Sequence, residues 1–281
     1  IAACAHFTLA RTNPMAGMAG KSASWFSLCL SAAALFLVLY SILQAHRHPN
    51  VVQLRGIVVD DPSSLSLLTE LSPLGSLRRV LNETPQKLLG AEAAQAAVLG
   101  GIASAMAFLH AQHPTPILHH DLKSDNVLLW PDAETGLLAK VSDFGMATGT
   151  GGSTMHSSAA TKLGAGTYQY AAPETFDDIF TAQSDVYAFG VVFWEVLTAK
   201  LPWGGMGDKA ILMAVCFKKE RPPLPAELAG APSGKLLARC WAQEPGGRPT
   251  FAKIAEMLES AKGVPEKEVS PCPHPSPNPN L

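Results

Sequence analysis

Asp121, Lys123 and Asn126 stand together in the string His119-His120-Asp121-Leu122-Lys123-Ser124-Asp125-Asn126, and Asp143-Phe144-Gly145 follows a short way on. This pattern constrains the fold more than any other feature of the chain. Two hard oxygen donors on separate loops, Asn126 and Asp143, act jointly only if the chain folds back and sets them over one cation. Asp121 adds a carboxylate able to take a hydroxyl proton, and Lys123 a cation to sit beside a moving phosphate. The set suits phosphoryl transfer.

With 281 residues there is length for one large domain or two lobes. Apolar residues reach 47% and charged residues only 16%, so the chain has ample material for a core. A net charge of −2 gives no electrostatic case for nucleic acid as a partner. The cysteines Cys4, Cys29, Cys216, Cys240 and Cys272 are odd in number, scattered, and never spaced as CxxC. They read as reduced thiols in a reducing compartment rather than a disulfide frame or a zinc site.

Residues 1–24 show no periodicity. Residues 25–43 carry no charge and as a helix would span roughly 28 Å, near the hydrocarbon thickness of a bilayer. Residues 46–59 turn at Pro49-Asn50 and continue as β-branched strand material, and Leu65–Leu71 reads as a second strand. The run 91–110 predicts a long buried helix, 117–145 a loop and hairpin, and Val186–Leu197 a central helix apolar nearly all round. Residues 146–166 are rich in Gly, Ser and Thr. Two helices over 234–262 are broken at Pro245-Gly246-Gly247, and the Pro-rich stretch 263–281 predicts disorder.

With these elements in order, residues 46–262 resemble a eukaryotic protein kinase domain. The markers are HPN at 48–50, Thr69-Glu70-Leu71-Ser72 with Gly75-Ser76-Leu77, HHDLKSDN, DFG at 143–145, GTYQYAAPE at 166–174, SDVYAFG at 184–190 and CWAQEPGGRPTF at 240–251. The text is most similar to the tyrosine-kinase-like serine/threonine branch, the Raf-like and mixed-lineage types. The resemblance implies an α+β kinase-like fold, with a truncated β N-lobe over 46–69 and a mostly helical C-lobe over 70–262. It implies ATP and Mg2+ as cofactors and a protein Ser/Thr substrate.

It also implies roles. Asp121, Lys123 and Thr167 would be catalytic, with Thr167 bracing the other two. Asn126 and Asp143 would hold magnesium. Thr69, Glu70, Ser72 and Leu128 would line the nucleotide site, Glu70 and Ser72 through backbone atoms and Leu128 as the floor under adenine. His119 would pack in the core against Phe144 and do no proton chemistry. Glu174 and Arg248 would form a buried ion pair, and Asp185 would cap the catalytic-loop backbone.

The sequence departs from the family pattern in two places. His120 replaces the usual Arg before Asp121, and an imidazole is mostly neutral at pH 7, which weakens control by a phosphorylated loop. No Gly-rich loop or β3 lysine motif is found, Leu39 stands where helix C should carry a glutamate, and no acidic residue precedes Asp60. The expectation is therefore a protein serine/threonine kinase, with a pseudokinase-like binding module as the alternative. For residues 1–45 the first expectation, prompted by Ile1, is a segment standing in for the true N-lobe. The others are a transmembrane helix over 25–43 and a helix C without its charges. The matching locations are cytoplasmic or single-pass membrane.

Overall fold

A computed structural model of the chain describes residues 2–8, 47–61, 64–113, 115–143, 148–149 and 168–262. The expected tail 263–281, the apolar run 25–43, Phe144 and Thr167 lie outside the described residues.

Strands β1 (Ala2–Thr8), β2 (Leu54–Asp61) and β3 (Ser64–Glu70) form an antiparallel sheet in the order β1-β3-β2. The short segment joining β2 and β3 makes them a hairpin. β1 was not legible in the sequence: its small residues show no alternation, and its pairing with β3 is an edge-to-edge match of backbone groups.

The larger part is helical. Helix α1 (Leu77–Glu83) starts where the Ser76 hydroxyl accepts the Arg79 N–H, which satisfies one of the unpaired donors of the first turn. Helix α2 (Glu92–His110) matches the run expected to be helical and buried. Its Ala, Val, Leu and Ile positions face inward on most sides. Strand β4 (Ile117–Leu118) leads into the loop that carries Asp121, and β5 (Val127–Asp132) and β6 (Gly136–Val141) make the expected hairpin. Asp132 accepts hydrogen bonds from the Thr135 N–H and hydroxyl, and Gly136 supplies the left-handed φ the turn needs. Strand β7 (Thr148–Gly149) pairs antiparallel with β4.

Helix α3 (Ala182–Thr198) begins in a reciprocal cap between Thr181 and Ser184. Tyr187, Phe189, Phe193 and Trp194 on this helix are almost wholly buried. Each contributes on the order of 1.5–3 kcal/mol from burial alone. Short helices α4 (Asp208–Leu212) and α5 (Ala226–Gly230) follow, with a π-helical turn at Met213–Phe217 between them. Helices α6 (Pro232–Cys240) and α7 (Phe251–Lys262) flank the 3-10 turn Pro245–Gly247, close to the break expected there. The Phe251 ring meets Phe189 edge-on at 5.5 Å and joins α7 to α3.

The turn His48-Pro49-Asn50 is docked on this helical body. His48 stacks on Phe108 of α2, and Asn50 Nδ2 donates to the Ala139 carbonyl at 2.8 Å. Gly101 makes room for that bond, because a Cβ there would fall 2.7 Å from Asn50 Nδ2. Among the described residues one helix, Glu92–His110, is long and apolar enough to cross a membrane, and here it is a core helix of the domain.

Candidate active site

The site is built on the β5–β6 hairpin. Asn126 precedes the first residue of β5, and Ser142 follows the last residue of β6. Val127 pairs with Val141, so the two ends meet. The Asn126 carbonyl accepts both the Ser142 N–H at 2.8 Å and the Ser142 hydroxyl at 2.9 Å. Asp143, the next residue, is thereby carried alongside Asn126. The β4–β7 pair holds the chain on the far side of Asp143 against the start of the catalytic loop.

Asp121 lies at the centre. Its Oδ2 accepts Lys123 Nζ at 2.7 Å and Asn126 Nδ2 at 3.1 Å, and its backbone carbonyl accepts Asn126 Nδ2 at 2.8 Å. Because the Asn126 amide bonds Asp121 through its nitrogen, its oxygen is directed elsewhere. That oxygen and the Asp143 carboxylate are hard donors of the kind magnesium takes, in a number that leaves room for phosphate oxygens and water. The donor set therefore fits magnesium. Among the described residues no group of three or more His, Cys, Asp or Glu side chains forms a metal cluster of another type.

The backbone around Asp121 is held from below by Asp185. Its two carboxylate oxygens accept the N–H groups of His119 and His120, each at 2.9 Å, and Oδ2 also meets His110 Nε2 at 2.9 Å. Burial pushes this carboxyl up. The His110 hydrogen bond and the nearby imidazoles of His110, His119 and His120 outweigh it and hold Asp185 below the usual carboxylate range. His120 needs such support: its φ is 63°, in the left-handed region that costs a non-glycine residue roughly 1–2 kcal/mol. Asp143 adopts the same region at φ 60°.

His119 is fully buried. Its Nδ1 accepts the Asp121 N–H at 3.3 Å, so Nε2 carries the proton and donates to the Ser142 carbonyl at 3.0 Å. The ring is a strut between Asp121 and the segment bearing Asp143, as expected of a packing residue.

The residues expected at the nucleotide site lie on two segments joined by hydrogen bonds. Thr69 and Glu70 end β3, and Ser72 follows. The Ser72 hydroxyl donates to the Leu129 carbonyl and accepts the Gly75 N–H at 3.0 Å. Ser76 bridges Leu128. Leu129 is buried and Leu128 half-buried, so Leu128 lies on the opposite face of β5. The resemblance gives Glu70 and Ser72 their roles through backbone atoms, and their side chains hold this segment in place. Glu70 Oε1 accepts Lys140 Nζ at 2.7 Å and the Gln53 N–H at 2.9 Å. Lys140 also lies over the Trp130 ring, 4.7 Å from its centroid. No spacing in the sequence pairs residue 70 with residue 140, so only the folded chain reveals the contact.

Glu174 and Arg248 form the expected ion pair, with two parallel bonds of 2.6 and 2.9 Å. A second buried group was missed. Arg78 pairs with Glu195 of α3, and Tyr170 donates to Glu195 Oε1 at 3.0 Å. The available signal was the single acid in the apolar run of α3, since a buried carboxylate needs a partner.

Residues 31–258 match the family of protein tyrosine and serine/threonine kinases, and the chain belongs to that family. Its α+β architecture is the protein kinase fold. Within the family, its relatives lie on the tyrosine-kinase-like serine/threonine side. It is 37% identical over 224 residues to serine/threonine-protein kinase CTR1 of Arabidopsis thaliana, covering 79% of this chain and 26% of that protein. It is 36% identical over 220 residues to mitogen-activated protein kinase kinase kinase 11 of Homo sapiens, covering 76% and 24%. Serine/threonine/tyrosine-protein kinase HT1 of Arabidopsis thaliana is 37% identical over 214 residues, covering 75% and 51%. The chain spans about a quarter of the length of the first two.

Proposed function

We propose that this chain transfers the γ-phosphate of ATP to Ser or Thr hydroxyls of a protein substrate. The observation that carries the proposal is the Asp121 carboxylate, bonded to Lys123 and Asn126 with Asp143 alongside. Asp121 orients the substrate hydroxyl and accepts its proton. Lys123, within reach of the same carboxylate, meets the negative charge of the phosphoryl group. Asn126 and Asp143 hold magnesium, which when bound neutralises charge on the phosphates. Thr69, Glu70 and Ser72 set the edge of the nucleotide pocket and Leu128 its floor. Thr167 is assigned its bracing role by resemblance alone. The test is Asp121→Ala in a phosphotransfer assay with a generic Ser/Thr substrate and Mg-ATP. Activity should fall by at least 10²-fold, and retention of activity would refute the assignment.

A second reading, a binding module without turnover, is favoured by one observation. No acidic residue precedes Asp60 and Lys21 is the only lysine there, so residues 1–59 hold no Lys–Glu pair. A missing pre-placed donor costs about 10²–10³ in rate. Magnesium-dependent stabilisation by ATP, measured by thermal shift, supports the enzyme, and its absence supports the module. The family match opens at residue 31, inside the apolar run 25–43. This favours a cytoplasmic location over a membrane span. Carbonate extraction separates the two.

A further inference from the structure

We infer that Ser72 is a positioning residue of the nucleotide site through its hydroxyl, which fastens the segment at the edge of the site to the strand beneath it, so that edge and floor keep one spacing. The inference rests on the kinase reading for its ligand and on geometry for the fastening itself.

Residues 71–76 run between the end of β3 and the start of α1. Apolar burial gives this segment little hold: Leu71 is 45% exposed, and only Leu74 packs, in part, on the core. Pro73 has no N–H to donate. The chain then turns at Gly75, whose φ of 76° is left-handed and where a Cβ would fall 3.0 Å from Arg79 Cδ. Inside this turn the Ser72 hydroxyl accepts the Gly75 N–H at 3.0 Å. The Gly75 carbonyl, 3.2 Å from the same hydroxyl, already accepts the Leu129 N–H at 2.9 Å. That leaves the hydroxyl proton for the Leu129 carbonyl.

Leu129 is fully buried in β5, which pairs with β6 along one edge. On the other edge both backbone groups of Leu129 meet the turn, the N–H at Gly75 and the carbonyl at Ser72. A buried carbonyl without a donor is costly, so the hydroxyl does for this edge of β5 what a neighbouring strand would otherwise do. Ser76 extends the contact as a backbone bridge to Leu128, the residue assigned to the floor. One side chain therefore ties the backbone of residue 72, assigned to the edge of the site, to the turn at Gly75 and to the strand that carries Leu128. Removing the hydroxyl leaves each segment its own fold and frees the spacing between them. The loss falls on nucleotide binding rather than on the Asp121 set, which is bonded within its own loop.

The experiment uses the full chain, with Ser72→Ala as the test and Ser72→Thr, which keeps the hydroxyl, as the conservative control. Adenosine and Mg-ATP are titrated separately by calorimetry. Each should bind Ser72→Ala about three- to tenfold more weakly than wild type, the worth of one hydrogen bond. In phosphotransfer, KM for ATP should rise by the same factor with kcat within about twofold, because the lost binding is shared by ground and transition states. Ser72→Thr should stay within about twofold of wild type in affinity and in KM. Amide hydrogen exchange at Gly75 and Leu129 should quicken at least about tenfold in Ser72→Ala while residues 186–196 are unchanged. Unchanged exchange at Gly75 and Leu129, equal acceleration across α3, or wild-type nucleotide affinity in Ser72→Ala overturns the inference. So does a Ser72→Thr no better than Ser72→Ala. A wild type that binds neither adenosine nor Mg-ATP overturns the kinase reading and the ligand role with it, and the exchange pattern still decides whether the hydroxyl fastens the two segments.

Discussion

Arg248 offers the sharpest test of how this domain is held together. Its side chain is 0% exposed and uses all five N–H donors. Nη1 donates to Glu174 Oε1 at 2.6 Å and the Gln183 carbonyl at 2.8 Å. Nη2 donates to Glu174 Oε2 at 2.9 Å and the Gln243 carbonyl at 3.1 Å, and Nε donates to the Ala242 carbonyl at 2.9 Å. The guanidinium also lies over the Tyr187 ring, 5.1 Å from its centroid. Arg248→Met keeps much of the volume but leaves the Glu174 carboxylate, 10% exposed, without its cation. Breaking such a pair from one side costs about 3–5 kcal/mol. For a domain of this size, each kcal/mol moves the melting temperature by about 2–4 °C, so the midpoint should fall by roughly 6–20 °C. Arg248→Lys should lose most of the same amount, because an ammonium has three donors and cannot reproduce a planar fork. Circular dichroism melts of the two variants and of Glu174→Gln/Arg248→Met supply the measurements. The double variant should be less destabilised than the sum of its single changes, because no charge is left buried alone. A midpoint within about 3 °C of wild type for both single variants would refute the reading that this pair ties the turn Pro173–Asp177 to the helical body.

Two further outcomes follow from the same geometry. The Asp185 carboxyl is held below its ordinary value of 3.8 in the folded chain. Its contribution is therefore present above that value and is lost as pH falls through it towards the depressed folded value. Asp185→Asn should cost about 2 kcal/mol at pH 7, as expected for bonds to a charged acceptor, and the gap from wild type in urea titrations should narrow below pH 4; a gap constant with pH would contradict the assignment. Gly101→Ala sets a methyl 2.7 Å from Asn50 Nδ2 and 3.3 Å from the Ala139 carbonyl. It should destabilise by about 1–3 kcal/mol through overpacking, and pairing it with Asn50→Ala should recover part of that loss.

Some of this molecule can be read directly from its residues. Helix α2 is legible because an unbroken run rich in Ala, Leu and Ile has no other way to bury itself. The β5–β6 hairpin is legible because Val127 and Leu129 alternate with half-buried neighbours before Asp132 and Gly136 turn the chain. Asp121, Lys123 and Asn126 lie so close in sequence that one loop must hold them. Strand β1 is not legible: its residues carry no alternation, and its place is set by the free edge of β3. The five-residue helices α4 and α5 are too short for a periodic signal. Glu70 with Lys140, and Arg78 with Glu195, are separated by many residues, and a charge in a sequence does not name its partner.

The residues themselves thus determine the chemistry available: a carboxylate, an ammonium and an amide in one loop, a second carboxylate in another, and apolar runs long enough to build a helical core. The tertiary structure alone decides which groups meet. It brings Asp143 to Asn126 by pairing Val127 with Val141, turns Asp185 up under the loop, and joins Tyr170 to Ser124 in the interior. The physical reason is that local pattern reports what a segment can bury, whereas ion pairs and hydrogen bonds between distant segments depend on where the packed core leaves them.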